Sequence, residues 1–212
     1  MNNVQKQKDF WLMADKRTQK RDALRIKIID LAQKRIASHG LSNLRARDLA
    51  AEAGCALGGL YNMFEDIDAL VLEVNARTLE EIDTVMDVAV AANPRAPQQL
   101  KALAHTYLAF ARAHPLTWRA LFEHHLPEGR DAPDWYSESL THLMARIAQP
   151  LALLRPDYTL DVLAKRARTM FAAVHGVVSI SLDNRFVGLA PDTLDSELER
   201  FVDVLLLGST SH

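Results

Sequence analysis

The chain has 212 residues, 25 lysines and arginines, 27 aspartates and glutamates, and 49% apolar residues, which is typical of a globular protein. The single cysteine, Cys55, excludes a disulfide within the chain. No apolar run reaches the roughly 20 residues of a transmembrane helix, and the polar N-terminus lacks a signal-peptide core, so a cytoplasmic protein is expected.

Charge is distributed unevenly along the sequence. Residues 1–50 hold 12 lysines and arginines against five aspartates, whereas residues 51–212 hold 13 basic against 22 acidic residues. A basic start on an acidic remainder favours a polyanionic partner at one end of the molecule. Charge alone leaves a second interpretation equally open, in which the first helix is simply charged and solvated.

The first predicted elements are a flexible arm, one helix and two short helices. Residues 1–20 lack sustained apolar periodicity and are interpreted as a flexible basic arm. Apolar residues at helical spacing predict a helix over 21–39, which Gly40 ends. Two short helices follow, at about 46–53 and 57–63, with a turn between them.

The remaining elements are also predicted to be helical. Asp66 has the character of an N-cap for a long helix that ends near residue 92. Further helices are predicted on both sides of Pro115, then over 134–154, 158–185 and 191–207, separated by loops rich in proline and glycine. Because no segment has convincing strand character, the expected fold class is all-α.

The segment 44–64 has the pattern of a helix-turn-helix. Ala50 is small enough for two helices to cross closely, and Gly54 suits the tight turn between them. Leu49 and Leu60 supply the apolar pair that fixes the crossing angle. Such a unit presents a short second helix that can enter the major groove of DNA.

This region resembles the DNA-binding domain of TetR/AcrR-type transcriptional regulators. The motifs that carry the resemblance keep their spacing across three helices; they are Ile28-Ile29, Ala32, Ile36, Gly40-Leu41, Arg47-Asp48-Leu49-Ala50, Ala53-Gly54, Leu60-Tyr61-Asn62-Met63-Phe64 and Asp68-Ala69-Leu70. The resemblance implies a three-helix DNA-binding domain at 21–65 and a six-helix effector-binding and dimerisation domain at 66–212. It also implies a homodimer that binds double-stranded operator DNA, acts as a repressor and responds to a small molecule.

The resemblance assigns roles to individual residues. Those expected to contact DNA lie on the second and third helices: Arg45, Arg47, Leu57, Gly58, Gly59, Tyr61 and Asn62. Tyr61 is expected to donate its hydroxyl to a phosphate oxygen, which positions the domain without reading sequence.

Two further sets of residues belong to the C-terminal part. Candidates for an effector pocket are aromatic residues and histidines on different predicted helices: Tyr107, Phe110, Trp118, Phe122, His125, Phe171 and His175. Apolar and aromatic walls with a few polar groups are the usual form of a ligand pocket. Candidates for the dimer interface are the apolar residues Val174, Val178, Leu182, Leu198, Phe201 and Leu205 on the last two helices.

An enzymatic role is not expected from the sequence. The eight histidines do not follow metal-ligand spacing, and the Gly58-Gly59 pair lacks the lysine and preceding strand of a phosphate-binding loop. We therefore expect no metal, no catalytic residue and no cofactor. One non-enzymatic alternative stays open: a helical architectural or interaction protein that binds DNA without a small-molecule switch.

Overall fold

The computed structural model describes the backbone of residues 3–183 and 187–210 and the side chains of 18–183 and 187–207. Within these ranges the chain forms nine α-helices and one short 3₁₀ turn, with no strand, so the all-α prediction is confirmed. The helices are α1 (Asn3–His39), α2 (Ala46–Ala53), α3 (Leu57–Tyr61), α4 (Ile67–Ala91), α5 (Ala96–Ala113), α6 (Pro115–Glu123), α7 (Asp134–Leu154), α8 (Leu160–Leu182) and α9 (Leu194–Thr210).

Helix α1 differs from the prediction at its start. It begins at Asn3 and continues to His39, so most of the segment expected to be a flexible arm has a helical backbone. Lysine, arginine and glutamine favour a helix but form no apolar stripe. Apolar periodicity therefore does not reveal a helix that these residues build. The side chains of residues 1–17, and with them part of the basic segment, lie outside the described residues.

The N-terminal unit, which we call the head, comprises α1, α2, α3 and the first turns of α4. Its core consists of fully or almost fully buried apolar residues, chiefly Ile28, Ala32, Ile36, Leu49, Ala50, Leu60, Phe64, Leu70 and Val74. Gly54 ends α2 with φ of 80°, a left-handed conformation that glycine adopts without a Cβ penalty. The tight turn predicted between the two short helices is therefore present.

The rest of the chain forms the body, in which α5, α6 and α7 pack against α4, and α8 and α9 pack against α5, α7 and each other. Its core is a second apolar cluster that includes Leu79, Ile82, Met86, Leu103, Leu108, Trp118, Leu151 and Leu198. Helix α4 contributes to both cores and so joins the head to the body. No helix in the described part of the chain is long and apolar enough to span a lipid bilayer.

The start of α4 is fixed by polar contacts. The Asp66 carboxylate caps the helix by accepting a hydrogen bond from the Ala69 amide at 2.7 Å, as its sequence position predicts. The guanidinium of Arg130, in the loop before α7, donates to the same carboxylate and lies 3.5 Å from Glu65. These contacts attach a loop of the body to the junction between α3 and α4.

Candidate DNA-binding face and effector site

The outward surfaces of α3 and of the start of α2 make up the candidate DNA-binding face. Leu49 on α2 and Leu60 on α3 are completely buried, which anchors both helices to the head core. Five of the seven predicted DNA-contact residues are exposed on the other side: Arg45, Arg47, Gly58, Tyr61 and Asn62. The burial of Leu60 beside an exposed Tyr61 follows from the 100° turn between consecutive helical residues.

The two other predicted contact residues, Leu57 and Gly59, are half-buried. Leu57 packs against the head core, and a Cβ at Gly59 would lie 3.7 Å from the Cβ of Cys55. By contrast, Gly58 has open space beside it, so a surface can approach its backbone closely. The geometry therefore leaves Gly58, Tyr61 and Asn62 as the outward part of α3.

Ion pairs hold α2 against α1. Arg35 on α1 lies 3.4 Å from Asp48 and 3.0 Å from Glu52, which offsets the negative charge that α2 carries. Lys27 donates to the carbonyl of Ala53 at 2.9 Å, at the C-terminal end of α2 where a cation is favourable. Both contacts stabilise the orientation of α2 and so of the recognition helix that follows it.

In the body, five of the seven predicted pocket residues come together. Tyr107 on α5, Trp118 and Phe122 on α6, and Phe171 and His175 on α8 form what we call the aromatic cluster. The ring centroids of contacting pairs are 4.1 to 6.4 Å apart, with Phe122 and His175 the closest. These spacings are typical of favourable aromatic packing.

The two ionisable side chains of the cluster, Tyr107 and His175, are hydrogen-bonded to each other and uncharged. The Tyr107 hydroxyl and the Nδ1 atom of His175 form a hydrogen bond of 2.8 Å. Burial lowers the pKa of His175 and raises the pKa of Tyr107, so the imidazole is neutral and the phenol protonated near pH 7. An apolar cavity of about 40 Å³ lies alongside and is bounded in part by Tyr107 and Phe171.

Phe110 and His125 are not part of the aromatic cluster. The ring of Phe110 is buried against His114, with centroids 4.7 Å apart. His125 is exposed, and its Nδ1 atom contacts the carbonyl of Glu123 at 2.9 Å. We therefore leave these two residues out of the candidate effector site.

Helix α6 links the aromatic cluster to the head, a role that the sequence did not predict. Trp118 and Phe122 contribute to the cluster, whereas Ala120 between them is 1% exposed and belongs to the head core. The buried amide of Asn75 on α4 donates to the Ala120 carbonyl at 3.3 Å. The local sequence hints at this contact only through a small alanine between two aromatic residues. It does not show that Asn75 is the partner of that alanine.

The predicted dimer interface needs two corrections. Val178 and Leu198 are completely buried inside the protomer, where they cannot contact a second chain. The other predicted residues, Val174, Leu182, Phe201 and Leu205, are partly buried. Apolar side chains that face outward on the same two helices include Leu160, Ile180, Val204 and Leu207, with 86%, 39%, 62% and 67% exposure.

Comparison with protein families identifies the chain. Residues 28–74 match the family described as bacterial regulatory proteins, tetR family. Residues 100–205 match the family described as tetracyclin repressor-like, C-terminal domain, which covers half of the chain. The protein therefore belongs to the TetR family of bacterial regulatory proteins, and the resemblance inferred from the helix-turn-helix motifs is confirmed. The search among curated proteins found no match.

Solved structures share this fold. A protein of unknown function from Rhodococcus sp. RHA1 has 22% identity and a TM-score of 0.71, covering 89% of this chain and 96% of that chain. RolR, solved in complex with resorcinol, has 15% identity and a TM-score of 0.63, covering 92% and 96%. The transcriptional regulator FadR from Bacillus subtilis, solved with stearoyl-CoA, has 14% identity and a TM-score of 0.64, covering 88% and 99%.

Within the described residues, no group of three or more histidine, cysteine, aspartate or glutamate side chains is arranged to hold a metal ion.

Proposed function

We propose that this protein is a cytoplasmic repressor that binds operator DNA as a homodimer and is controlled by a small-molecule effector. The observation that carries the DNA-binding part is the recognition helix α3. Leu60 anchors this helix in the head core, and Tyr61 and Asn62 face outward beside it. Family membership supports the same conclusion.

The expected DNA contacts follow from side-chain chemistry. Arg45 and Arg47 are exposed cations next to α3, suited to phosphate oxygens and to guanine edges. The Tyr61 hydroxyl is suited to a phosphate, and the missing side chain of Gly58 allows the backbone to enter the groove. Because α3 offers few hydrogen-bonding side chains, most of the affinity is expected to come from the phosphates and to fall with salt.

A homodimer provides the second recognition helix that a palindromic operator requires. The outward apolar side chains of α8 and α9, Ile180 and Val204, support an interface on these helices.

The effector is expected to bind at the aromatic cluster. The cluster lies in the body, has two buried rings and few polar atoms, and adjoins an apolar cavity. Two proteins with the same fold have been solved with small molecules bound, resorcinol in RolR and stearoyl-CoA in FadR. Helix α6 then offers a route to the head, because it contacts both the cluster and α4. An effector that binds one arrangement of α6 more tightly shifts the population of head positions and so releases DNA.

The proposal is tested by selecting fragments of the source genome on the purified protein. We expect enrichment of a few fragments that share a palindrome, with two half-sites about one helical turn apart or a multiple of it. Recovery of unrelated fragments in proportion to their length would instead support the architectural alternative.

A thermal-shift screen with small molecules separates the two candidates independently. A sensor gains stability with its effector, and the same compound should release the selected fragment. A protein that binds the selected fragment but responds to no compound would retain the DNA-binding part of the proposal and lose the effector part.

A further inference from the structure

The aromatic cluster contains a buried donor that lacks an acceptor. Trp118 is 2% exposed, and its indole N–H makes no hydrogen bond. The N–H lies near enough to the Tyr107 hydroxyl to oppose the rise in the pKa of that group, but not in hydrogen-bonding geometry. Because burying an unpaired donor is costly, such a donor points to an acceptor supplied from outside the chain.

The ionisable rings that contact Trp118 are uncharged. His175 is neutral and Tyr107 is protonated, since burial opposes the charged form of both rings. No lysine, arginine, aspartate or glutamate belongs to the aromatic cluster or lines the adjacent cavity in the described part of the chain. A charged ligand would lose its hydration here without gaining an ion pair, so an uncharged ligand is favoured.

The size of the site limits the ligand further. The adjacent cavity of about 40 Å³ is bordered by Tyr107 and Phe171 but not by Trp118, and it admits only a few water molecules. A ring that binds at Trp118 therefore needs a side chain to move aside. Phe122 is the most exposed ring of the cluster, at 37%, and its ring contacts Trp118, Phe171 and His175. Displacing the Phe122 side chain releases the space of one ring beside Trp118, Phe171 and His175.

We propose that the effector is a small, uncharged, single-ring aromatic compound whose oxygen accepts a hydrogen bond from the Trp118 indole N–H. The ring takes the place of Phe122 against Phe171 and His175, and the oxygen lies against the Trp118 indole N–H. This inference rests on the proposed function, because it specifies the chemistry of the effector of that regulator. Aromatic rings also attract cations, but the positive end of the buried N–H dipole opposes a cation at this point.

Isothermal titration of the full-length chain with two matched probes tests the inference. Acetophenone and ethylbenzene have similar size and one ring each, and only acetophenone has an acceptor oxygen. We expect acetophenone to bind at least tenfold more tightly, although ethylbenzene is the more apolar compound. In Trp118→Phe, which keeps an aromatic ring and removes the N–H, the ratio of the two affinities should fall close to one. Trp135→Phe, at an exposed tryptophan on α7, is the matched control and should keep the wild-type ratio.

Several results would overturn the inference. These are equal or tighter binding of ethylbenzene to the wild type, an unchanged ratio in Trp118→Phe, or tighter binding of benzoate or phenyltrimethylammonium than of acetophenone. If Trp118→Phe does not fold, the wild-type ratio of the two probes decides alone. Failure of all these probes to bind, together with successful selection of a palindromic operator, would reject the aromatic effector and leave the proposed DNA-binding function standing.

Discussion

The side-chain amide of Asn75 donates a hydrogen bond to the backbone carbonyl of Ala120 over 3.3 Å, and this contact joins α4 to α6. Both residues are 1% exposed, so water cannot replace either partner. The bond lies where α6 touches the head core, close to Trp118 and Phe122. The bond therefore joins the part of α6 beside the aromatic cluster to the helix that links head and body.

Removing the Asn75 amide should destabilise the protein. In Asn75→Ala the buried Ala120 carbonyl loses one of two donors and keeps the His124 amide. We expect the free energy of unfolding in urea to fall by about 1–1.5 kcal/mol. Asn93→Ala is the matched control, because the Asn93 amide bonds to the Ala89 carbonyl one turn earlier in a partly exposed position. The control should lose less than about 0.5 kcal/mol. Equal losses in the two variants would contradict a special role for the α4–α6 contact.

The candidate DNA-binding face can be tested with two substitutions. Tyr61→Phe removes one hydrogen bond to phosphate and should weaken operator binding about fivefold to tenfold. Arg47→Ala should weaken operator binding by about tenfold. It should also reduce the slope of log affinity against log salt concentration by about one. Fluorescence anisotropy with the selected fragment measures both effects.

Arg95→Ala is the matched control for charge. Arg95 is exposed beyond the end of α4 opposite the head, and α4 has 25 residues, which corresponds to roughly 37 Å of helix. This variant should bind DNA like the wild type. Unchanged affinity in both Tyr61→Phe and Arg47→Ala would remove the assignment of the face.

The proposed interface on α9 is tested by placing a charge on it. Val204→Glu should raise the dissociation constant of the homodimer at least tenfold, because a carboxylate would lose its hydration in an apolar contact. Sedimentation equilibrium measures the change. Val88→Glu on α4 is a close match, with 66% exposure against 62% for Val204, and should leave the dimer intact. A Val204→Glu variant that dimerises like the wild type would place the interface elsewhere.

Stability should decrease as the pH falls below neutral. Burial holds the pKa of His175 below its ordinary value of 6.5, so the unfolded chain binds a proton more readily than the folded one. Acidification from pH 7.5 to 5.5 therefore favours unfolding, and the buried His124, whose pKa is also lowered, adds to the effect. His175→Gln should show a smaller decrease in melting temperature over this range than the wild type. His125→Gln, at an exposed position, should behave like the wild type, and an unchanged slope in His175→Gln would refute the assignment.

Much of the helical fold could be predicted from local signals. The bounds of α2 and α7 agree with the sequence prediction, since Gly54, Pro133 and Pro156 interrupt helices clearly. The Asp66 N-cap likewise marked the start of α4. The N-terminal part of α1 was missed because its polar residues favour a helix without producing apolar periodicity.

The sites were less predictable because they depend on contacts between distant residues. An apolar stripe on α9 is the same pattern whether it faces the protomer core, as Leu198 does, or faces outward, as Val204 does. The contact between Asn75 and Ala120 spans 45 residues and has no signature in either segment. The Tyr107–His175 hydrogen bond likewise needed the packing of α5 on α8 to be known.

Under the proposed function, the position of α6 has a consequence for engineering this protein as a biosensor. Mutations that retarget the ligand through Phe171 on α8 change a wall of the site that is separate from the head core. Mutations at Trp118 alter a helix whose neighbouring residue, Ala120, is packed into the head, so they alter recognition and signal transmission together. Libraries that diversify α5 and α8 while preserving α6 should therefore yield new specificities with the original switching behaviour more often than libraries centred on α6.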